Sequence, residues 1–185
     1  MDSYSFTTDW FSGNLPVWER VVAPHLRQAA LPRVLEVGAF EGRASVWFLG
    51  GFAALTLTVI DPWAYTDGAG EDTFARFSSN VRAFRDRLTI LRGKSQLMRQ
   101  LPEAAFDAIY IDGEHTSAAV MHDAVLGYEL LKPNGLLIFD DYLGGDRSVS
   151  FPKPAIDFFH AAYGVAGKVQ LLSDGYQRIY RKRAP

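Results

Sequence analysis

The chain contains no cysteine, and that single absence removes disulfides, thiolate metal ligands and cysteine nucleophiles together. It fits a cytoplasmic protein, which is the expectation for localisation. Long apolar runs are missing as well. Nothing approaches the roughly 20 residues that span a bilayer, and the opening MDSYSFTTDW lacks the charged-then-apolar pattern of a secretion signal. No membrane partner is therefore expected. A strong charge imbalance is also absent: 19 Lys and Arg against 21 Asp and Glu give a net charge of −2. Binding to nucleic acid needs a clustered basic surface, so it is not expected either. The closing Arg181-Lys182-Arg183 is read as a solvated tail. Repeats, low-complexity tracts and Pro/Gly/Ser-rich linkers do not occur. The expectation is one domain over residues 1–185, with residues 1–30 as an N-terminal helical segment on the substrate side.

What is present suits a packed enzyme-sized domain. Hydrophobic residues make up 48% and charged residues 22% of 185, enough to bury a sizeable core. NLPVWERVVAPHLRQAA carries apolar residues at helical spacing, with Pro24 predicting a kink or two shorter helices. RVLEVG, LTLTVID, LTILRG, FDAIYID and LLIFDD read as five strands separated by helical stretches. Lys132-Pro133-Asn134-Gly135 predicts a turn into the fifth. KVQLLS and YQRIYRK, joined through Asp174-Gly175, read as a closing hairpin. The fold class is thus α/β: a doubly wound, mostly parallel seven-stranded sheet with an antiparallel C-terminal hairpin strand.

In such a sheet ligands bind beyond the carboxyl ends of the strands. Those ends carry Gly38, Asp61, Gly93-Lys94-Ser95, Asp112 and Asp140-Asp141. In EVGAFEGRAS, Gly38 permits a sharp turn and close approach to a ligand, and Gly42 tight packing at the helix start. The G-x-x-x-G spacing is not the G-x-G-x-x-G of a dinucleotide turn, and no Walker-type lysine follows. Asp61, ending the second strand, is placed to accept hydrogen bonds from both hydroxyls of a ribose, or else to form an Asp-Pro turn.

VLEVGAFEGRASVWFL, LTVIDPW, GKSQLMRQLP, YIDGEH and LLKPNGLLIFDDY together resemble, in order, the motifs of class I S-adenosylmethionine-dependent methyltransferases. The similarity is greatest to the small metal-dependent O-methyltransferases of the catechol and the sugar- and antibiotic-tailoring kinds. The resemblance implies a Rossmann-like methyltransferase fold and S-adenosylmethionine as cofactor. It assigns Glu36, Gly38 and the following turn, with Phe40 and Gly42, to the methionine end, and Asp61 to the ribose. Ser95 and Gln96 match the adenine-contacting segment. Trp63 either flanks the adenine or packs in the core. Ser45 either contacts the cofactor carboxylate or is a buried helix hydroxyl. Asp112 counts with both the cofactor and the metal residues.

Asp112, Asp140 and Asp141 come from two strand ends expected to be adjacent. Three hard oxygen donors suit Mg²⁺ or a similar divalent cation, whereas gathered carboxylates without a cation repel one another. The other reading is that Asp140-Asp141 only terminates a strand. Catechol-type relatives carry Asp-Asn where this chain has Asp-Asp. The metal would hold neighbouring oxygens of a small-molecule acceptor, with a vicinal diol or catechol as the expected class. His115, three residues after Asp112, stands where the resembling enzymes carry a lysine or histidine base, with Glu114 as competitor. Methylation without a metal, using His115 or Glu114 alone, and a non-catalytic cofactor-binding subunit are the rival readings. Asp107 and Asp123 read as surface or helix-face charges. Residues 7–18, 64–74 and 143–154 are the expected substrate-side cover, and the amphipathic N-terminal segment is expected to pack either on its own domain or on a second copy of the chain.

Overall fold

The computed structural model describes residues 4–64, 70–144 and 151–184. The helical entry winds unevenly: a 3-10 turn at Ser12–Asn14, α1 (Leu15–Val17), a π turn at Trp18–Val22, then α2 (Ala23–Leu26). Pro24 explains this. A proline ring collides with the carbonyl four residues earlier, and a widened turn before it, with Ala23 N–H bonded to the Trp18 carbonyl, relieves the contact. The predicted kink is therefore a π turn.

β1 (Arg33–Val37), α3 (Arg43–Gly51), β2 (Thr56–Asp61), α4 (Gly70–Asn80) and β3 (Leu88–Arg92) follow. Then come β4 (Phe106–Ile111), α5 (Ser117–Leu130), β5 (Leu131–Phe139), α6 (Lys153–Phe159), β6 (Val169–Asp174) and β7 (Arg178–Lys182). The sheet order is β3-β2-β1-β4-β5-β7-β6, with β7 antiparallel to both its neighbours. The order reverses between β1 and β4, and their carboxyl ends flank the crevice where open α/β sheets take ligands.

Strand periodicity explains the two cores. Side chains alternate between faces, so Val34, Ala108, Tyr110 and Ile138 pack on one side with Trp18 and Phe48. Leu35, Ile109, Ile111 and Leu137 pack on the other with Ile156 and Phe159. Trp18 is fully buried, lies edge-on to Tyr110 at 5.0 Å, and donates its indole N–H to Gln177 Oε1 at 2.6 Å. The helical entry is thereby pinned beneath β4, which leads into Asp112.

Two expectations change. Lys132–Gly135 does not precede the fifth strand but forms an irregularity within it. Phe106 pairs with Leu131 and Ala108 with Leu136, the extra residues being taken up around Asn134 at φ 67°. Of the two acids expected as surface or helix-face charges, Asp107 is partly exposed and Asp123 is not on the surface. Asp123 is buried because the 3-10 turn Ser95–Gln100 packs over α5, and burial raises its pKa. Asp107 accepts the Arg33 amide and the Lys132 ammonium, each at 2.8 Å. Among the described residues no helix is long and apolar enough to cross a membrane.

Candidate active site

The glycine turn after β1 is held by its neighbours. Gly38 has φ 85°, and a Cβ there would lie 2.0 Å from the Asp112 carbonyl oxygen, so only glycine lets the end of β1 pass β4. Gly42, at φ 83°, starts α3 against Phe77, whose ring a Cβ would meet at 2.8 Å. Between them Phe40 is held at φ 50°. Asp61 supplies the anchor: Oδ2 accepts the amides of Ala39 (2.8 Å) and Phe40 (3.0 Å), and Oδ1 accepts that of Trp63 (2.7 Å). The carboxylate expected at a ribose thus also fixes the turn.

A cavity of about 570 Å³ runs along this edge from the β3 end to the β5 end, a size typical of small-molecule sites. Glu36, Gly38, Phe40, Asp61, Ser95, Gln96, Asp112, Glu114, His115 and Asp140 line it. Four expected residues do not: Ser45, Gly42, Trp63 and Asp141. Ser45 is buried behind Glu36, donating its hydroxyl to Oε2 at 2.5 Å. Gly42 serves packing. Trp63 is in the core against Phe74 and Phe77, reaching the turn only by donating its indole N–H to the Phe40 carbonyl at 2.8 Å. Of the expected cover, the N-terminal segment is present through Thr8, Trp10 and Phe11. The other two stretches fall partly on 65–69 and 145–150, outside the described residues.

At the β4/β5 end the acids separate into two groups. Tyr110, Asp112, Ile138 and Asp140 share one face by strand alternation and by the pairing of Tyr110 with Ile138. The Tyr110 hydroxyl, which sequence reasoning missed, therefore reaches Asp112 Oδ2 at 2.8 Å and also Asp140 Oδ2. Asp140 Oδ1 accepts the Asp141 amide at 2.8 Å, so both its oxygens are engaged. Asp141, at φ 55°, turns off the strand and is contacted by the Tyr176 hydroxyl of the β6–β7 hairpin. His115 stands between the remaining two acids, Nε2 at 3.3 Å from Asp112 Oδ1 and Nδ1 at 3.4 Å from Asp141 Oδ2. One ligand atom from each of Asp112, His115 and Asp141 lies within 4.8 Å of the others. The expected set Asp112, Asp140 and Asp141 is brought together, but Asp140 faces Tyr110 and the donors converging on one point include His115 instead. Glu114 is exposed and accepts from the Thr116 hydroxyl at 3.1 Å.

The sequence profile of a family described as a methyltransferase domain matches residues 35–142, from within β1 to the residue after Asp141. The chain belongs to that methyltransferase family. An O-methyltransferase, ankF, from Aspergillus thermomutatus is 28% identical over 133 residues, which is 66% of this chain and 52% of that protein. The chain thus spans about half the length of the curated relative it matches. The fold of the chain is shared with solved structures of low identity. The Bacillus cereus O-methyltransferase in complex with SAH is 15% identical at a TM-score of 0.70, covering 97% of this chain and 84% of that one. TomG of Streptomyces achromogenes, an O-methyltransferase of tomaymycin synthesis in complex with SAM, is 14% identical at a TM-score of 0.70, covering 95% and 82%.

Three carboxylates of the site, Asp140, Asp112 and Glu36, are held in a way that favours bound protons. Burial pushes Asp140 up to about 7, with the Asp112 charge adding to it. Asp112 is raised as well: 31% of its side chain faces the open cavity, yet loss of solvent outweighs its bond to His115. The Tyr110 O–H carries one proton between two carboxylates, Asp112 and Asp140, whose pKa values are both raised. His115 is raised by its bond to Asp112, against the opposing effect of burial. Glu36 is raised well above the usual range by burial, with Asp112 and Asp61 adding and Ser45 opposing.

Proposed function

We propose that the chain, acting as one domain over 1–185, transfers a methyl group from S-adenosylmethionine to a hydroxyl of a small molecule. The observation that carries this is the single cavity with Asp61, Ser95 and Gln96 toward one end and Asp112 and His115 at the other. A nucleoside at the first end would set the sulfonium methyl toward the second. The SAH and SAM complexes of the two structural relatives support the choice of cofactor. Asp61 would take the ribose, Ser95 and Gln96 the adenine, and Glu36 with the Gly38 turn the methionine end.

Asp112, Asp141 and His115 fit a divalent cation such as Mg²⁺, since two carboxylates and an imidazole each bring one ligand atom within 4.8 Å of the others. A cation bound there supplies Lewis acidity to two neighbouring acceptor oxygens, as a vicinal diol or catechol presents them. Tyr110 and Asp140 back Asp112 in this arrangement. A second reading rests on His115 itself, whose two nitrogens face two carboxylates as an imidazolium would. There His115 is the base without a metal, or Glu114 in its place, and activity survives EDTA.

Calorimetric titration with S-adenosylhomocysteine tests the cofactor half. Losing hydrogen bonds to a charged group costs about 1.5–3 kcal/mol each, so Asp61→Asn should weaken binding about 10- to 100-fold. Absence of binding to the wild-type chain would overturn the reading.

The metal half has a pH signature. His115, Asp112 and Asp140 all hold their protons more tightly folded than unfolded. The folded state therefore loses stability as pH rises from the unfolded carboxyl range through about 7. A divalent cation must displace the protons held on His115 and Asp112. Thermal melts should show Mg²⁺ or Mn²⁺ raising Tm by several degrees at pH 8 and hardly at pH 5.5. Equal shifts at both pH values, or none, would exclude this site.

A further inference from the structure

A buried acid outside the carboxylate corner needs its own explanation, and Glu41 is one. It lies 2% exposed in the middle of the glycine turn. Its Oε2 accepts the Thr7 amide at 2.6 Å and its Oε1 the Thr7 hydroxyl at 2.8 Å, with the Arg76 guanidinium 3.6 Å from Oε1. Buried Asn80 donates to the carbonyls of Ser5 and Glu41, each at 2.9 Å, and accepts the Ser5 amide at 2.8 Å. Arg43 completes the clasp by donating to the Thr8 carbonyl at 3.0 Å, pairing with Asp9 at 3.4 Å and covering the Phe6 ring at 4.2 Å.

The clasped segment takes no part in the sheet. Its side chains Phe6, Thr8 and Trp10 line the cavity, and Trp10 is 71% exposed with its ring 5.2 Å from that of Phe40. A segment tied down only for stability would turn its largest aromatic inward, because burial is where an indole contributes most. Here three polar side chains are spent on placing an aromatic wall.

We propose that residues 4–11 are a clasped wall of the binding cavity, and that Glu41 is the positioning residue coupling the wall's seating to occupation of the glycine turn. The proposal rests on the methyltransferase reading above. Phe40 and Gly42, on either side of Glu41, both have left-handed φ, and the Phe40 amide is fixed on Asp61. A ligand that settles against this turn therefore sets the Glu41 carboxylate and carbonyl, which in turn hold Thr7 and, through Asn80, Ser5. Coupling of this kind is reciprocal: what loosens the wall weakens the ligand by the same factor.

The test uses the full chain, with S-adenosylhomocysteine as probe, read by calorimetry and by amide hydrogen exchange. In the wild type the probe should slow exchange over residues 4–11. Glu41→Gln should speed exchange there and weaken the probe by about tenfold, within the usual range of coupling energies. Thr7→Val, which removes only the hydroxyl contact, is the milder variant if Glu41→Gln does not fold, and should act in the same direction. Trp10→Ala leaves the clasp intact and should weaken the probe while exchange at Thr7 stays slow. A variant whose segment exchanges fast yet binds the probe as the wild type does would overturn the coupling. So would a wild-type segment indifferent to the probe. A wild type that binds no probe at all takes down the cofactor reading as well, and is seen before any variant is made.

Discussion

Replacing His115 by glutamine should lower kcat by about 10²- to 10⁴-fold, the usual contribution of a positioned general base, while S-adenosylhomocysteine affinity changes little. The imidazole lines the cavity at the acid end, away from Asp61, Ser95 and Gln96. Asp112 and Asp141 fix its ring from both sides and Asp112 holds its pKa above the ordinary value. As a base it works only when deprotonated, so wild-type activity should rise with pH through that raised pKa, and the variant should lose this limb. The measurement is a pH–rate profile with acceptors drawn from catechols and sugar diols. If His115 instead serves as a metal ligand, the same variant should weaken Mn²⁺ binding in a calorimeter. A variant with unaltered kcat, pH profile and Mn²⁺ affinity would remove His115 from the chemistry altogether.

Gly38→Ala should destabilise the fold by more than about 4 kcal/mol, the exceptional range reserved for backbone conflict and similar disruptions. The new methyl would sit 2.0 Å from the Asp112 carbonyl oxygen and 2.5 Å from its carbon, and both are backbone atoms that no side-chain rotation can clear. The φ of 85° adds strain for any residue with a Cβ. Relief requires β1 and β4 to part at their carboxyl ends, where the Asp112 amide now bonds the Val37 carbonyl at 2.8 Å. The expected result is insoluble protein or a melting temperature far below that of the wild type. A soluble variant with wild-type Tm would mean that β1 and β4 do not approach as described.

Much of this was legible in the sequence, because apolar strands ending in a glycine or an acid declare both their direction and the rim they build. Gly38, Asp61, Asp112 and Asp140-Asp141 each close a strand-like run, and the parallel topology brings four such ends to one edge. What stayed hidden is decided by tertiary contact. Tyr110 reads as another apolar strand residue. Its role appears only once pairing with β5 places Asp140 on the same face. Asp140 and Asp141 look equivalent as a pair, but the left-handed turn at Asp141 sends one carboxylate to the tyrosine and the other to the histidine. Glu41 reads as a loop charge, since nothing nearby in sequence reveals that Thr7 will cover it. Trp63 is an aromatic beside an expected ribose contact, and proximity along the chain could not say on which side of the backbone it would fall.

The hydrogen bond from Trp18 to Gln177 links residues 159 positions apart, and a ribosome makes them in that order. Residue 18 is made well before residue 177, so its buried indole N–H has no such partner until the β6–β7 hairpin has left the exit tunnel. The same hairpin brings Tyr176 to Asp141. Early strands can pair while synthesis continues, yet the acid corner and the helix beneath it are completed only once residues 176 and 177 are made. A nascent chain stalled before residue 176 would therefore carry the glycine turn and its aspartate while the acid corner still lacked the tyrosine that the hairpin brings to it.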